Sequence, residues 1–120
     1  DLNIDHRITA NAVATVARPQ PRSSIREVYA MEILSSSHWG LPSSGADMFF
    51  PTRFVEITDT FEVKIKALEA YHAEMRDFPH ERSYLAVEQL ARLRGANVGI
   101  TMAEAFEVLR IIEKDRPEFV

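Results

Sequence analysis

A chain of 120 residues with 46% hydrophobic, 27% charged and 9% aromatic side chains has room for one domain or part of one, and lies outside the disordered and fibrous classes. Fourteen Lys+Arg against eighteen Asp+Glu leave a formal net charge of -4, which provides no field for attracting nucleic acid or an anionic membrane. With no cysteine, disulfides, Cys-ligated zinc, iron–sulfur clusters and thiol nucleophiles are excluded, and any metal site must be built from His, Asp and Glu.

The apolar runs fall far short of the ~20 residues that span a bilayer, and no signal-like segment opens the chain, so a cytoplasmic protein is expected. The chain opens on Asp1 rather than Met, in a dense polar cluster, and reads as beginning in the middle of something.

From Asp5 to Ala17 the positions Ile8, Ala12, Val13, Val16 and Ala17 recur at helical spacing and predict one apolar helix face, ended by Arg18-Pro19-Gln20-Pro21. Residues 25–34, with Ile25, Val28, Tyr29, Met31 and Ile33, predict a strand. Ser35 to Thr52 is a long loop rich in Ser, Gly and Pro, of the kind that often carries function.

Arg53 to Ile57 predicts a second strand. Asp59 is then the expected cap of a helix that buries Phe61, Ile65, Leu68 and Met75, with Tyr71 beside them, as far as about Asp77. A further helix over Ser83 to Arg94 turns Ala86, Val87, Leu90 and Leu93 inward and stops at Gly95. Thr101 and Glu104 form a capping box that predicts a last helix burying Met102, Ala105, Phe106, Leu109 and Ile112, before Pro117. Two strands and four helices make an awkward freestanding domain, because two strands do not form a well-covered sheet. Further strands are expected elsewhere.

The chain has no G-x-G-x-x-G, P-loop, G-x-S-x-G or H-E-x-x-H motif. Chemistry is most concentrated in Asp1-Leu2-Asn3-Ile4-Asp5-His6-Arg7, where an acid abuts a histidine at a helix start. An imidazole there suits a metal, with the carboxylate tuning it. The same spacing fits Asp5 as a plain helix cap and His6 as an ordinary first-turn residue.

This cluster resembles the second metal motif, H-x-D-H, of the PIG-L/LmbE-like zinc-dependent N-deacetylases, in a bacterial subgroup where it reads D-L-N-x-D-H-R. Similar segments follow in order: Ala17-Arg18-Pro19, Met31 to Trp39, Phe50 to Ile57, Lys66 to Tyr71, Phe78-Pro79-His80-Glu81-Arg82-Ser83, and Arg94-Gly95 through Ala103-Glu104-Ala105-Phe106. The resemblance covers nearly the whole chain.

It implies an α/β fold, the C-terminal part of a single Rossmann-like deacetylase domain. The implied activity is hydrolysis of an N-acetyl group on a sugar or sugar-like substrate, giving acetate and a free amine by attack of zinc-activated water. The implied metal ligand in this chain is His6, with Asp5 as the acid before it. The other two ligands and the general base would come from an A-H-P-D-D segment that these residues do not contain. Such a protein is expected to take Zn2+, an N-acetylated small molecule and the missing N-terminal segment as partners, to form a homo-oligomer, and to engage neither nucleic acid nor membrane. One imidazole does not hold a catalytic zinc, so this piece alone is expected to be inactive.

Asn3 replaces the first His of H-x-D-H. Its amide can donate to an oxyanion but delivers no proton at neutral pH. The acid role then moves, with His80 as the candidate; a helix-entry residue packed beside Pro79 explains the same position. Arg53 and Arg82 suit bidentate binding of a phosphate or carboxylate, against the commoner role of surface ion pairing. Trp39 offers a ring for a sugar to stack on, or a pin for the loop, and His38 beside it suits a substrate-facing wall. His72 reads as structural or exposed, and the capping box accounts for Glu104. The competing reading is a non-catalytic interaction or assembly module formed by three helices from Phe61 to Arg116. Residues 61–120 hold nine Lys+Arg against eleven Asp+Glu, which gives that module no nucleic-acid character.

Overall fold

The computed structural model describes residues 2–40 and 48–113. Asp1, part of the long loop and the segment around Pro117 lie outside them. The described residues form a mixed α/β arrangement in the order α1 (Ile4–Val16), β1 (Glu27–Met31), β2 (Arg53–Glu56), α2 (Phe61–Glu69), α3 (Tyr84–Ala96) and β3 (Ala103–Ile111), with a short 3-10 turn at His72–Glu74.

The three strands make one sheet in the order β1-β3-β2, with both pairings antiparallel. The central strand is the segment for which the capping box predicted a helix. Ala, Glu, Leu and Arg are good helix formers, and a short apolar run fits either period. Here the ladder decides: β3 pairs along Glu27–Met31 on one edge and along Arg53–Glu56 on the other, so its backbone groups are satisfied from both sides. Of the positions predicted to be buried, Met102 and Ala105 are, whereas Leu109 is 58% exposed. This strand is a third member of the sheet, and the described part of the segment from Phe61 holds two α-helices and a strand in place of the three helices expected as far as Arg116, which lies outside the described residues.

The core lies between the sheet and helices α2 and α3, formed by Ile57, Phe61, Val87, Ala91 and Met102, with Leu34, Ile65, Leu68 and Met75 packed against it. Burial of a ring such as Phe61 contributes about 2–3 kcal/mol. Helix α2 is capped by Thr60 rather than Asp59, without a side-chain cap bond, and it ends at Glu69, well before Asp77, leaving Tyr71 68% exposed.

Helix α3 starts where predicted, with the Ser83 hydroxyl accepting the Ala86 amide at 3.1 Å. Gly95 is not its stop. It lies inside the helix, and a Cβ there would come within 2.6 Å of the Ile100 carbonyl oxygen and 2.8 Å of the Met102 amide nitrogen. The glycine lets the chain fold back closely enough to enter β3. The left-handed residue that permits the return is Gly99, at φ 78°.

Helix α1 forms as its spacing predicts, but none of its own residues is buried: Ile8 is 60% and Val16 73% exposed, and only Ala17, just past its end, is enclosed. No helix among the described residues is long and apolar enough to cross a membrane.

Candidate functional site

The site is organised by the turn that follows β1. Ser37 N donates to Ile33 O at 2.9 Å and Trp39 N to Ser35 O at 3.0 Å, winding residues 33–39 into a compact knot. Ser35 takes a left-handed φ of 68°, unfavourable for a residue with a side chain, and is 3% exposed. Its surroundings fix it there: its amide donates to Glu81 Oε2 at 2.6 Å, and its hydroxyl accepts from Arg82 Nε at 3.1 Å.

Two distant segments meet at this turn, beside the end of β1 that leads into it. The start of α1 reaches it through Leu2 N, which donates to Ser36 O at 3.3 Å. The segment before α3 reaches it through Glu81 and Arg82, and through a ring contact in which Trp39 meets His80 edge-on at 5.2 Å. The end of β1 supplies Glu32, whose side chain is only 6% exposed. Glu32 accepts from Arg94 of α3 at two nitrogens, and its Oε1 lies 2.8 Å from His38 Nε2. The other His38 nitrogen, Nδ1, lies 3.1 Å from Glu81 Oε1.

Burial works to raise the Glu32 carboxyl, but hydrogen bonds from Arg94 and His38 outweigh it and hold the group below its ordinary value. For His38 burial pulls down, and the hydrogen bonds and charges of Glu32 and Glu81 prevail and raise it.

Among the residues singled out from sequence, Asn3, Trp39, His80 and Arg82 lie at or next to this turn. Asn3 caps α1, its Oδ1 accepting the Asp5 amide at 2.9 Å, so the cap is Asn3 and not Asp5. Asp5 is exposed in the first turn and His6 half-exposed one residue on. His80 Nδ1 accepts the Arg82 amide at 3.0 Å, which places the proton of the neutral ring on Nε2. Arg82 is engaged on two sides, by Ser35 and by Glu74 Oε2 at 3.0 Å. The ring of Trp39 is 53% exposed and accessible to a stacking partner.

Arg53 sits apart from the turn. It lies over the Tyr29 ring at 4.5 Å and 3.5 Å from Glu27, beside an open groove lined by Arg26, Glu27, Tyr29, Thr52 and Val108. His72 lies in the exposed 3-10 turn. Glu104 is on β3 and pairs with Lys64 at 2.5 Å, in place of the expected cap.

Among the described residues no three His, Asp or Glu side chains converge as a metal-holding group. Glu32, Glu81, Arg94 and Ser35, which build the turn, carry no spacing signal. The only hint is an acid, Glu32, embedded in the apolar run Met31 to Leu34.

Comparison with protein-family models, with curated proteins and with solved structures finds no match to this chain.

Proposed function

We propose that this chain is the C-terminal portion of a Rossmann-like, PIG-L/LmbE-like N-deacetylase domain, acting in a zinc-dependent enzyme that removes the acetyl group from an N-acetylated sugar or sugar-like molecule. The observation that carries the reading is convergence. Residues picked from three separate segments, Asn3, Trp39 and the pair His80 and Arg82, gather around one strained turn although up to 79 positions separate the first from the last. The exposed apolar side chains of α1, Ile4, Ile8 and Val16, support it too, since a larger body would cover them.

The chemistry of these groups suits amide hydrolysis. Asn3, whose Oδ1 caps the helix, belongs to the class of side chains whose amide can donate to a developing oxyanion. With Nδ1 accepting the Arg82 amide, the His80 ring presents Nε2–H as a hydrogen-bond donor to the reacting amide. Trp39 offers an apolar face to a sugar. Arg82 is bound to Ser35 and Glu74 and holds the turn, while Arg53 belongs to a different part of the sheet. The described residues alone do not fit a zinc ion: His6 is one imidazole, and the other ligands are assigned to the A-H-P-D-D segment that the resemblance implies.

The test uses the longest form that the gene encodes. It is expected to bind about one zinc, to release acetate from an N-acetylated sugar, and to lose zinc on His6→Ala. His80→Gln is expected to keep zinc and lose roughly 10²-fold in turnover. Full zinc occupancy in His6→Ala removes His6 from the ligand set. A zinc-loaded protein that releases no acetate from any N-acetyl sugar tested overturns the reading.

A further inference from the structure

We propose that His38 is a positioning residue that acts as an imidazolium bridge: doubly protonated, it locks the turn over residues 33–39 and holds Trp39 against His80, and loss of one proton opens the turn. The reading above is needed only for calling this turn part of a substrate site.

The argument is one of donors and acceptors. Both ring nitrogens face carboxylate oxygens, Nε2 at 2.8 Å from Glu32 and Nδ1 at 3.1 Å from Glu81. An ionised carboxylate only accepts, so both contacts are hydrogen bonds only when both nitrogens carry hydrogen, and that species is the imidazolium. A neutral ring sets a lone pair against one carboxylate.

The end that yields is set by burial and partners. Glu32 is enclosed and anchored by Arg94 of α3, while the Glu81 side chain is 32% exposed and lies in the loop before α3. Glu81 therefore lets go. Its other oxygen holds the Ser35 amide at 2.6 Å, and Ser35 is the left-handed residue whose carbonyl receives Trp39 N. Release at Nδ1 thus passes through Glu81 and Ser35 to Trp39 and its contact with His80.

The charged and titratable groups facing this ring are Glu32 from the end of β1, Arg94 from α3, and Glu81 with its neighbours His80 and Arg82 from the loop before α3, Arg82 being paired to Glu74. Arg94 strengthens the hold on Glu32 without reaching His38, which leaves Glu81 as the variable partner. The groove beside the ring is lined mainly by apolar side chains, Leu34, Phe78, Pro79, Leu90 and Leu93, together with Gln89 and Glu81 itself.

Trp39 is the only tryptophan in the chain, so its emission reports this turn. Emission recorded against pH is expected to show one transition with a midpoint above the ordinary imidazole value of 6.5, moving to the red as the turn opens. His38→Gln is expected to abolish it, Glu81→Gln to lower its midpoint, and His80→Gln to alter its amplitude but keep the midpoint. A His38→Gln protein that is folded by circular dichroism and keeps the transition overturns the proposal. Ring-nitrogen chemical shifts of the unmodified chain give a check that needs no variant: at pH 6 both His38 nitrogens are expected to be protonated, and a single protonated nitrogen overturns the bridge. None of these readouts depends on acetate release, so they stand or fall apart from the deacetylase reading.

Discussion

Arg94, in the last turn of α3, holds Glu32, just past the end of β1, through two guanidinium nitrogens, with Nε 2.9 Å from Oε2. The pair ties the helix layer to the sheet at the point where the chain leaves β1 for the turn that carries Trp39. Since Glu32 is almost wholly enclosed, its charge relies on this partner.

Arg94→Ala is accordingly expected to cost about 3 kcal/mol, because it leaves a buried carboxylate with His38 as its remaining ionic partner. Arg94→Lys is expected to recover only part of that, since an ammonium does not reproduce the two-nitrogen grip. Urea denaturation of the three proteins measures both, and an Arg94→Ala midpoint equal to the parent's removes the pair from the stabilising contacts.

Gly95→Ala is expected to destabilise by about 2–3 kcal/mol although alanine is the better helix former. The added Cβ meets backbone atoms of Ile100, Thr101 and Met102, none of which can rotate away. A stability equal to or above the parent's in the same denaturation experiment would show that the return into β3 is looser than described.

Phe61→Ala is expected to cost about 3–4 kcal/mol, the largest loss among single core truncations. Among the described residues the core has few large side chains and Phe61 is its one aromatic ring, so neighbours cannot close over the space it leaves. Thermal unfolding followed by circular dichroism is the measurement, with a Tm drop of only a degree or two counting against this core.

The pH dependence of stability follows from two shifts. His38 is raised in the fold, so its contribution is complete below 6.5 and is lost as pH rises through the folded value. Glu32 is lowered, so its contribution is complete above 4.5 and is lost as pH falls through the folded value. Stability is expected to be greatest between these limits and to decline on the alkaline side. In His38→Gln the alkaline decline should flatten, which denaturation midpoints between pH 5 and 9 would reveal.

Lys64 and Glu104 make a partly exposed pair between α2 and β3, for which a coupling of about 0.5 kcal/mol is expected. A double-mutant cycle that finds coupling here supports the strand. Coupling of Glu104 to Thr101 instead would favour the helix that the capping box predicted.

The local signals that were legible are those in which short-range chemistry decides. Helix α3 opens at Ser83 as its range predicted, and the apolar β-favouring runs before Met31 and after Arg53 have no competing local preference, whereas the cap of α1, read at Asp5, is supplied by Asn3. The segment from Ala103 was illegible because its residues suit either state locally, and only strands lying more than forty positions upstream supply the hydrogen bonds that choose. Likewise, Gly95 reads as a helix stop until the fold shows what packs on it.

At the candidate site, sequence by itself determined the chemical inventory: no cysteine, four histidines, one tryptophan, and the segments containing Trp39, His80 and Arg82. Only the tertiary structure decided which of them act together. It joined His38 to two carboxylates 6 and 43 positions away, set Trp39 on His80, and sent Arg53 to Tyr29. The reason is physical: a cap or a turn is settled within a few residues by backbone geometry, whereas a buried charge takes whichever partner the packing of α3 against β1 and β3 places within hydrogen-bond reach.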